Sequence, residues 1–514
     1  FLKVLWRKLS SVKLVGFLLV AAVMTASAAS RNVLLIIADD YGIDSHSLYN
    51  TNSAASLPPT PNINALAQRG VLFRNAYGQP VCSPSRCAML TGRYGFRNGV
   101  TQVVESLATP GVQTNEYTLP EVISANAQLS YSCASIGKWH LGGAAAGPNT
   151  AGGWPHFSGS LGGALASYTS WMKTVDGRST PNYSVYATTD NVNDALSWIQ
   201  QRGTNRWFLW LAFNAGHTPY HKPPNNLHSY DSLSGTQADI TANPRPYYEA
   251  MIESMDTEIG RLLSQIDTNQ TTILFLGDNG TQGRVIQPPF SSSRGKDSLY
   301  EGGVRVPFIV AGPDIVNRGR SSDAVVHCVD LYATILDLVG VPLPAVLPTD
   351  SRSLLPVLLS QPFTPAERAI LVENETTAPA GQSGRAVRYS NFKLIQPTGS
   401  AEEFYDLARD PLEATNLLLR TLTAEQQATL ALLHAKLDAW RNIPNAQRPE
   451  VATQFALETS WFANANLSLW RSPDLGSANW IQVTNAMVQD HGFSFRVVDP
   501  QPPFSRAFYR LRSD

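Results

Sequence analysis

The sequence has little charge, few cysteines and only one long apolar run, and each scarcity excludes a class of protein. Charged residues make up 15% of the 514 residues, and 39 Lys and Arg against 40 Asp and Glu leave a net charge of −1. No global field therefore draws the chain to nucleic acid or to an anionic membrane. We found no internal repeat or low-complexity segment, and 43% apolar residues with 11 Trp are typical of a globular protein.

The long apolar run lies near the N-terminus and predicts an export signal. Basic residues up to Lys13 precede the run Leu14–Met24, and the small residues Ala26-Ser27-Ala28 follow it. This order is typical of a secretory signal peptide, so we assign residues 1–28 to it and expect a periplasmic or secreted protein. A membrane anchor is the alternative, but the run is shorter than the roughly 20 residues that a span needs. No later segment is long enough, so we expect no stable span after signal removal.

The four cysteines, Cys82, Cys87, Cys133 and Cys328, allow at most two disulfides. The sequence does not assign their partners. If Cys82 is chemically consumed, three cysteines remain and at most one bridge forms among them.

Three apolar runs rich in β-branched and aromatic residues end abruptly in polar residues. The runs and their polar ends are Val33–Ala38 before Asp39-Asp40, Trp207–Phe213 before Asn214 and His217, and Thr271–Leu276 before Asp278-Asn279. Such runs predict buried strands. Stretches with helical periodicity lie between them: Thr60–Gly70, Asn191–Arg202 and Tyr247–Ile266. The alternation predicts an α/β fold with a large, mainly parallel sheet between layers of helices, and a site beyond the carboxyl ends of its strands.

Composition predicts three parts after the signal: a main domain over residues 29–345, an α+β subdomain over 346–448 and a small antiparallel β module over 449–514. The Pro-rich stretch Val341–Pro348 marks the first boundary. Four alternating segments separated by turn residues indicate the last module. Its role, whether carbohydrate binding, surface attachment or packing, stays open.

Within the α+β subdomain, Arg385–Gln396 predicts a pair of strands and Ala424–Trp440 predicts a helix. Thr423 and Gln426 have the spacing of a capping box at the start of that helix.

The segment Val81–Arg93, with the sequence VCSPSRCAMLTGR, carries the strongest chemical signal. Pro84 suits the first turn of a helix, because its fixed φ matches that turn and no amide hydrogen is missed. Cys82 then lies at the helix N-terminus, where free amide groups favour an anion. Arg86, one turn further on, can present a fork of donors. A reactive or disulfide-bonded cysteine at a helix start is the alternative interpretation.

The acidic pairs Asp39-Asp40 and Asp278-Asn279 place three carboxylates and an amide at the ends of neighbouring predicted strands. Oxygen ligands of this kind suit Ca²⁺ or Mg²⁺ better than zinc. Consecutive residues of a straight strand point to opposite faces, so both members of a pair can bind one ion only where the chain turns. Gly42 and Gly280 would ease such turns. Taken alone, either pair is more often a turn or a helix cap.

The segment Val81–Arg93 resembles the signature of the type I sulfatases of the alkaline phosphatase superfamily, and the resemblance extends in order and spacing from about Asn32 to Leu417. It implies an alkaline-phosphatase-like fold, hydrolysis of sulfate esters, and oxidation of Cys82 to formylglycine by a formylglycine-generating or anaerobic sulfatase-maturating enzyme. It also implies a cation, Ca²⁺ rather than Mg²⁺. The implied ligands are Asp39, Asp40, Asp278, Asn279 and the modified Cys82.

The resemblance assigns roles to the basic residues as well. Lys138 and His140, in the string Gly137-Lys138-Trp139-His140, would bind the sulfate and contact the aldehyde hydrate. His217 matches the substrate-side histidine and Lys296 the second lysine; together they would protonate the leaving alcohol. Arg86 would help offset the sulfuryl charge. The family often has Pro before the substrate-side histidine, where this chain has Gly216, which suggests a more flexible loop.

Sulfate-ester hydrolysis, with a sulfated glycan or a sulfated small molecule as substrate, is the expected function. One alternative is a phosphonate monoester hydrolase or phosphodiesterase of the same superfamily. Another is a non-catalytic protein that binds sulfated glycans, although a binder has no use for a hydrate nucleophile.

Overall fold

The computed structural model describes residues 32–109, 111–143, 146–344, 349–363, 368–375 and 383–441, and the backbone of six short strands after residue 441. Two compact units follow each other along the chain, one ending at Trp440 and one beginning at Arg441. The predicted signal peptide lies outside the described residues. Among the described helices, none combines the length and apolar character needed to cross a bilayer.

A ten-stranded sheet forms the centre of the first unit, in the order β10-β2-β9-β8-β1-β7-β3-β4-β5-β6. Its strands are β1 (Asn32–Ala38), β2 (Gly70–Tyr77), β3 (Ser132–Lys138), β4 (Phe157–Ser160), β5 (Trp171–Val175), β6 (Arg178–Tyr183), β7 (Trp207–Ala212), β8 (Thr271–Gly277), β9 (Phe308–Ala311) and β10 (Arg320–His327). The run from β8 to β4 is parallel throughout, whereas β9, β5 and β6 pair antiparallel with their neighbours. The predicted mainly parallel sheet is confirmed.

Helices connect these strands and cover both faces of the sheet. They are α1 (Pro61–Gln68), α2 (Cys82–Thr91), α3 (Gly95–Asn98), α4 (Leu119–Ala125), α5 (Ala187–Arg202), α6 (Gln237–Ala242), α7 (Pro244–Gln265), α8 (Glu301–Val304), α9 (Leu331–Val339), α10 (Leu355–Leu358) and α11 (Ala424–Arg441). Alternate residues of β1 enter two separate cores: Val33 belongs to one and Leu34 to the other. A strand buried on both faces explains why its sequence is continuously apolar.

A second sheet of four antiparallel strands lies beside the large one: β11 (Ala369–Asn374), β12 (Gly384–Tyr389), β13 (Phe392–Pro397) and β14 (Glu403–Asp406). Leu394 of this sheet and Leu433 of α11 belong to the same core as Val33, so the two sheets share packing. The capping box of α11 is present: the Thr423 amide donates to Gln426 Oε1 at 3.0 Å, and the Gln426 amide donates to Thr423 Oγ1 at 3.2 Å.

The second unit contains two three-stranded sheets whose strands pair antiparallel. Its strands are β15 (Phe455–Thr459), β16 (Leu467–Ser472), β17 (Ile481–Gln482), β18 (Met487–Asp490), β19 (Phe495–Asp499) and β20 (Phe508–Ser513). The predicted antiparallel β module is confirmed, while its boundary at residue 449 stays a prediction.

Two local features add to what the sequence analysis established. Glu301–Val304 forms one turn of helix, α8, before the chain enters β9. All four cysteines are buried free thiols, so no disulfide joins them.

Candidate active site

The carboxyl ends of four parallel strands bring the predicted polar residues together. Ala38 of β1 pairs with Gly277 of β8, so Asp39 and Asp278 follow at adjacent positions. Lys138 ends β3, and Asn214 and His217 follow β7, which lies between β1 and β3. The site therefore occupies the edge of the sheet where such folds hold ligands.

The chain turns at Asp40, whose φ of 53° is left-handed. This turn lets both carboxylates of the pair reach the same thiol: Cys82 Sγ lies 3.5 Å from Asp39 Oδ1 and 3.9 Å from Asp40 Oδ1. The Asp40 amide donates to Asp278 Oδ1 at 3.1 Å, which ties the two acidic segments together. The turn expected near Gly42 is thus made two residues earlier, by Asp40 itself.

Helix α2 begins at Cys82, and its first turn is held by side-chain hydrogen bonds to other segments of the site. Ser85 Oγ donates to the Asp278 carbonyl at 2.6 Å and accepts from the Gln79 amide at 2.8 Å. Ser83 Oγ donates to the His140 carbonyl at 2.9 Å. These bonds fix Cys82 at the helix N-terminus, where it is 1% exposed.

Arg86 lies in the cluster, but its donors are already engaged. Its Nε and Nη2 donate to Asp278 Oδ2 at 3.1 and 2.8 Å, and Nη1 donates to the Lys138 carbonyl at 3.1 Å. Burial alone would lower the pKa of the guanidinium, but the Asp278 and Asp39 charges raise it. Arg86 therefore braces Asp278 and the end of β3 as well as adding positive charge.

The two lysines pair with different members of the acidic pair. Lys138 Nζ lies 2.5 Å from Asp39 Oδ2. Lys296 Nζ lies 2.7 Å from Asp40 Oδ1 and 3.5 Å from Cys82 Sγ. Burial opposes the charged form of Lys296, but the attraction of Asp40 outweighs it and raises the pKa of Lys296 well above its usual value.

The two histidines are neutral in this environment. Burial, with the Lys138 charge, lowers the pKa of His217 to about 3 and that of His140 well below its usual value. His217 Nδ1 lies 3.0 Å from the Thr218 carbonyl, which can only accept, so Nδ1 carries the proton. His217 Nε2 then faces Asp40 Oδ2 at 4.0 Å with a free lone pair. His140 Nδ1 is buried with no hydrogen-bond partner among the described residues.

Two tyrosines that no sequence motif points to support the cluster. Tyr168 donates its hydroxyl to the carbonyls of Asn214 and His217 at 2.6 and 2.8 Å. Tyr248 donates to the Asp40 carbonyl at 3.0 Å, and a Cβ at Gly216 would lie 2.5 Å from its ring. The segment before His217 is thus tightly packed rather than loose. Both tyrosines lie far from the motifs in sequence and belong to no recognisable string.

The acidic residues fit a hard divalent cation. Ligand atoms of Asp39, Asp278 and Cys82 lie within 4.8 Å of one another, as do those of Asp40, His217 and Cys82. Asn279 donates Nδ2 to Asp40 Oδ1 at 2.8 Å, while its buried Oδ1 has no partner among the described residues. Burial, with repulsion from Asp39, raises the pKa of Asp278 to about 6. A cation would relieve this repulsion and give the Asn279 oxygen a partner.

The sequence and the fold are similar to those of known proteins. A family model described as "Sulfatase" matches residues 31–341, and one described as "N-sulphoglucosamine sulphohydrolase, C-terminal" matches residues 294–442. N-acetylgalactosamine-6-sulfatase of Canis lupus familiaris is 28% identical over 390 residues, which cover 67% of this chain and 69% of the relative. Arylsulfatase G of Rattus norvegicus is 27% identical over 421 residues, covering 73% and 77%.

Solved structures share the fold at lower identity. Ps i-CgsB in complex with k-i-k-neocarrahexaose superposes with a TM-score of 0.70 at 22% identity, covering 82% of this chain and 94% of the other. BT4656 in complex with its substrate D-glucosamine-2-N,6-O-disulfate gives 0.64 at 21% identity, covering 82% and 100%.

Proposed function

The chain belongs to the type I sulfatase family of the alkaline phosphatase superfamily and is a sulfuric ester hydrolase; we propose that it desulfates carbohydrates with a formylglycine made from Cys82 and a bound calcium ion. One observation carries the proposal: Cys82, three carboxylates and two lysines, from segments as far apart as Asp39 and Lys296, meet in one buried cluster. Apolar residues would stabilise the fold better than these buried charges do, so the charges indicate a functional site.

Four side chains and position 82 would hold the cation. We assign Asp39, Asp40, Asp278 and Asn279 as the oxygen ligands, because each has an oxygen in the buried cluster. The bound cation would supply positive charge for the sulfuryl oxygens, and the hydrated aldehyde at position 82 would supply the nucleophilic hydroxyl. Burial raises the pKa of the Cys82 thiol, so the unmodified residue is a poor nucleophile.

Lys138 and Lys296 would bind the sulfate group. Both ammonium groups lie beside carboxylates of the proposed cation site, and the Lys296 side chain is 10% exposed, which puts it at the open side of the cluster. A substrate sulfate would gain two charge-assisted contacts in a site largely shielded from water. Arg86, held by Asp278, would add positive charge behind position 82.

Lys296, His217 and His140 would carry out the proton transfers. Its raised pKa keeps the ammonium protonated, which supports a role as proton donor to the leaving alcohol. His217, whose Nε2 carries a lone pair, would share that proton with Lys296. His140 would remove a proton from the hydrate; its unpartnered Nδ1 and its link to α2 through Ser83 support this role.

Carbohydrate substrates are proposed because several relatives are named for sulfated sugars and the predicted signal directs the protein to a periplasmic or extracellular space. A formylglycine-generating or anaerobic sulfatase-maturating enzyme would be the partner that modifies Cys82. The position of the sulfate and the sugar ring would be set by the loops around His217.

Peptide mass spectrometry across Gln79–Arg93, combined with an assay of sulfate release, tests the proposal. We expect the mass of Cys82 to change to that of formylglycine, and sulfate to be released from sulfated monosaccharides in proportion to the modified fraction. Chelation should stop release, and calcium should restore it better than magnesium. Preferential turnover of phosphodiesters or phosphonate monoesters, or full activity of protein with an unmodified thiol, would refute the proposal.

A further inference from the structure

A polar cavity of about 370 Å³ lies at the far end of helix α2 from Cys82. Tyr94, just past the end of α2, and Trp440, near the end of α11, form part of its wall. At 1.5 Å per residue, the ten residues of α2 place about 15 Å between this cavity and the candidate active site. No residue assigned to that site lines the cavity.

Arg368 lines this cavity and has a buried donor without a partner among the described residues. It is 4% exposed, and its Nη2 is paired with the Asp330 carboxylate. Its Nη1 is buried and has no hydrogen-bond partner among the described residues. Asp330 also accepts from the amides of His327 and Arg352, at 2.8 and 3.0 Å. A buried donor without an acceptor is unfavourable, and an acceptor that reached it from the cavity would remove that penalty.

Positive charge predominates among the side chains that line the cavity. Arg352 is exposed, and Lys436 places its ammonium 5.7 Å from the Tyr389 ring. Asp350 is the one acidic residue in the lining, and it already accepts from the Tyr94 amide and from Arg97 Nε, each at 2.9 Å. The lining therefore adds the charges of Arg352 and Lys436 to two ion pairs, Arg368 with Asp330 and Asp350 with Arg97.

We propose that this cavity binds an anionic sugar, with sulfate or carboxylate oxygens at Arg368 Nη1 and the ring against Trp440. Arginine forks match the geometry of both oxyanions. Trp440 is half-buried and meets Tyr94 edge to face at 6.2 Å, so it can offer a fixed aromatic surface to a sugar ring. The biological value of the site rests on the proposed function, because a sulfated polymer held here has a raised effective concentration at the active site.

Equilibrium dialysis with inorganic sulfate tests whether the cavity binds an oxyanion. We expect two sulfate ions per wild-type chain, one of which is lost when Arg352→Ala and Lys436→Ala are combined. Arg368→Lys, which keeps the charge opposite Asp330 but removes Nη1, should lose the same ion. Arg178→Ala with Arg409→Ala removes equal charge from exposed positions elsewhere and should keep both ions. Retention of both ions by the cavity variants, or an equal loss in the control, overturns the proposal.

Galactose 6-sulfate and glucuronic acid, with galactose as the uncharged control, separate sulfate from carboxylate as the anion. Trp440→Ala should weaken binding of the preferred acidic sugar at this site by about tenfold and leave inorganic sulfate binding unchanged. An unchanged affinity for both acidic sugars overturns the role of the ring surface.

Turnover assays keep this proposal separate from the proposed function. The Arg352→Ala, Lys436→Ala protein should show a raised KM for a sulfated polysaccharide but an unchanged kcat and KM for a small aryl sulfate. Absence of turnover in wild type would refute the proposed function alone, since the dialysis result does not depend on turnover. An unchanged polysaccharide KM would overturn a role of the cavity in substrate capture.

Discussion

At the scale of single residues, Cys82 is the side chain on which the proposed chemistry depends. Replacement by Ala or Ser removes the precursor of the aldehyde, and we expect turnover to fall by at least about 10³-fold while the melting temperature stays close to that of wild type. Cys87→Ala, a change of the same kind five positions along α2, is the matched control and should keep turnover. Activity of Cys82→Ser near the wild-type level would contradict the mechanism.

Glu373 provides a pH-dependent test of stability. Burial, opposed by the Arg385 charge, raises its pKa from 4.5 to about 7. The folded chain therefore binds more protons than the unfolded chain between pH 4.5 and 7, so this group stabilises the fold fully at low pH and loses that contribution as pH rises towards 7.

Glu373→Gln should consequently raise stability at pH 8, on the order of 2 kcal/mol, with a much smaller difference at pH 5. Thermal melts across this range measure the effect. Glu375→Gln, an exposed change two residues away, is the control. A Glu373→Gln protein that is less stable than wild type at pH 8 would show that the carboxylate is held charged.

The sequence motifs predict all ten candidate site residues, because the strings that contain them are short and rich in polar and charged residues. The sequence does not predict which of these side chains pair with one another inside the cluster. Arg86 was expected to reach the substrate group, and the structure engages it with Asp278. Tyr168 and Tyr248 could not be predicted, since their contribution is a hydrogen bond to backbone from a distant segment.

At the scale of secondary-structure elements, helix α2 is fixed at both ends, and the glycine at its C-terminus has a counterpart at the end of α3. Gly92, which ends α2, and Gly99, which ends α3, have left-handed φ values of 70° and 83°. A Cβ at Gly92 would lie 2.7 Å from the Tyr332 ring, whereas a Cβ at Gly99 would meet nothing within 4 Å.

Gly99→Ala should cost only the left-handed strain, about 1 kcal/mol. Gly92→Ala should cost a further 1–3 kcal/mol or so from overpacking, with a loss of turnover because α2 carries Cys82. Denaturant melts measure both costs. Equal destabilisation by the two substitutions would show that α2 shifts freely against Tyr332.

The bounds of two elements with a clear hydrophobic periodicity were predicted closely. The helix predicted over Ala424–Trp440 spans Ala424–Arg441, and the strand predicted over Val33–Ala38 spans Asn32–Ala38. The antiparallel strands β5 and β6 and the one-turn helix α8 were not predicted. They are short and depend on contacts made elsewhere in the fold, which periodicity does not record.

At the scale of the whole molecule, the proposed site belongs entirely to the first unit. All ten candidate residues precede Trp440, where that unit ends. A chain that ends at Arg448 should therefore hydrolyse a small aryl sulfate with a kcat/KM within about twofold of the full chain. Loss of turnover in a folded, truncated protein would show that the β module contributes to the reaction.

Truncation at Thr423 is the contrasting control. It removes α11, whose Leu433 and Leu437 are fully buried in the same core as β1. Loss of that packing should destabilise the whole unit, because each buried leucine contributes about 1.5–3 kcal/mol.

The burial of Cys82 also bears on whether its proposed modification comes before or after folding. Cys82 is 1% exposed and contacts Asp39, Asp40 and Lys296. The catalytic groups of another enzyme therefore cannot reach its thiol in the folded protein. If Cys82 is oxidised as proposed, the oxidation would have to precede folding, while the segment is still an extended peptide. A molecule that folded first would keep its thiol and stay inactive, and only unfolding would expose the thiol again.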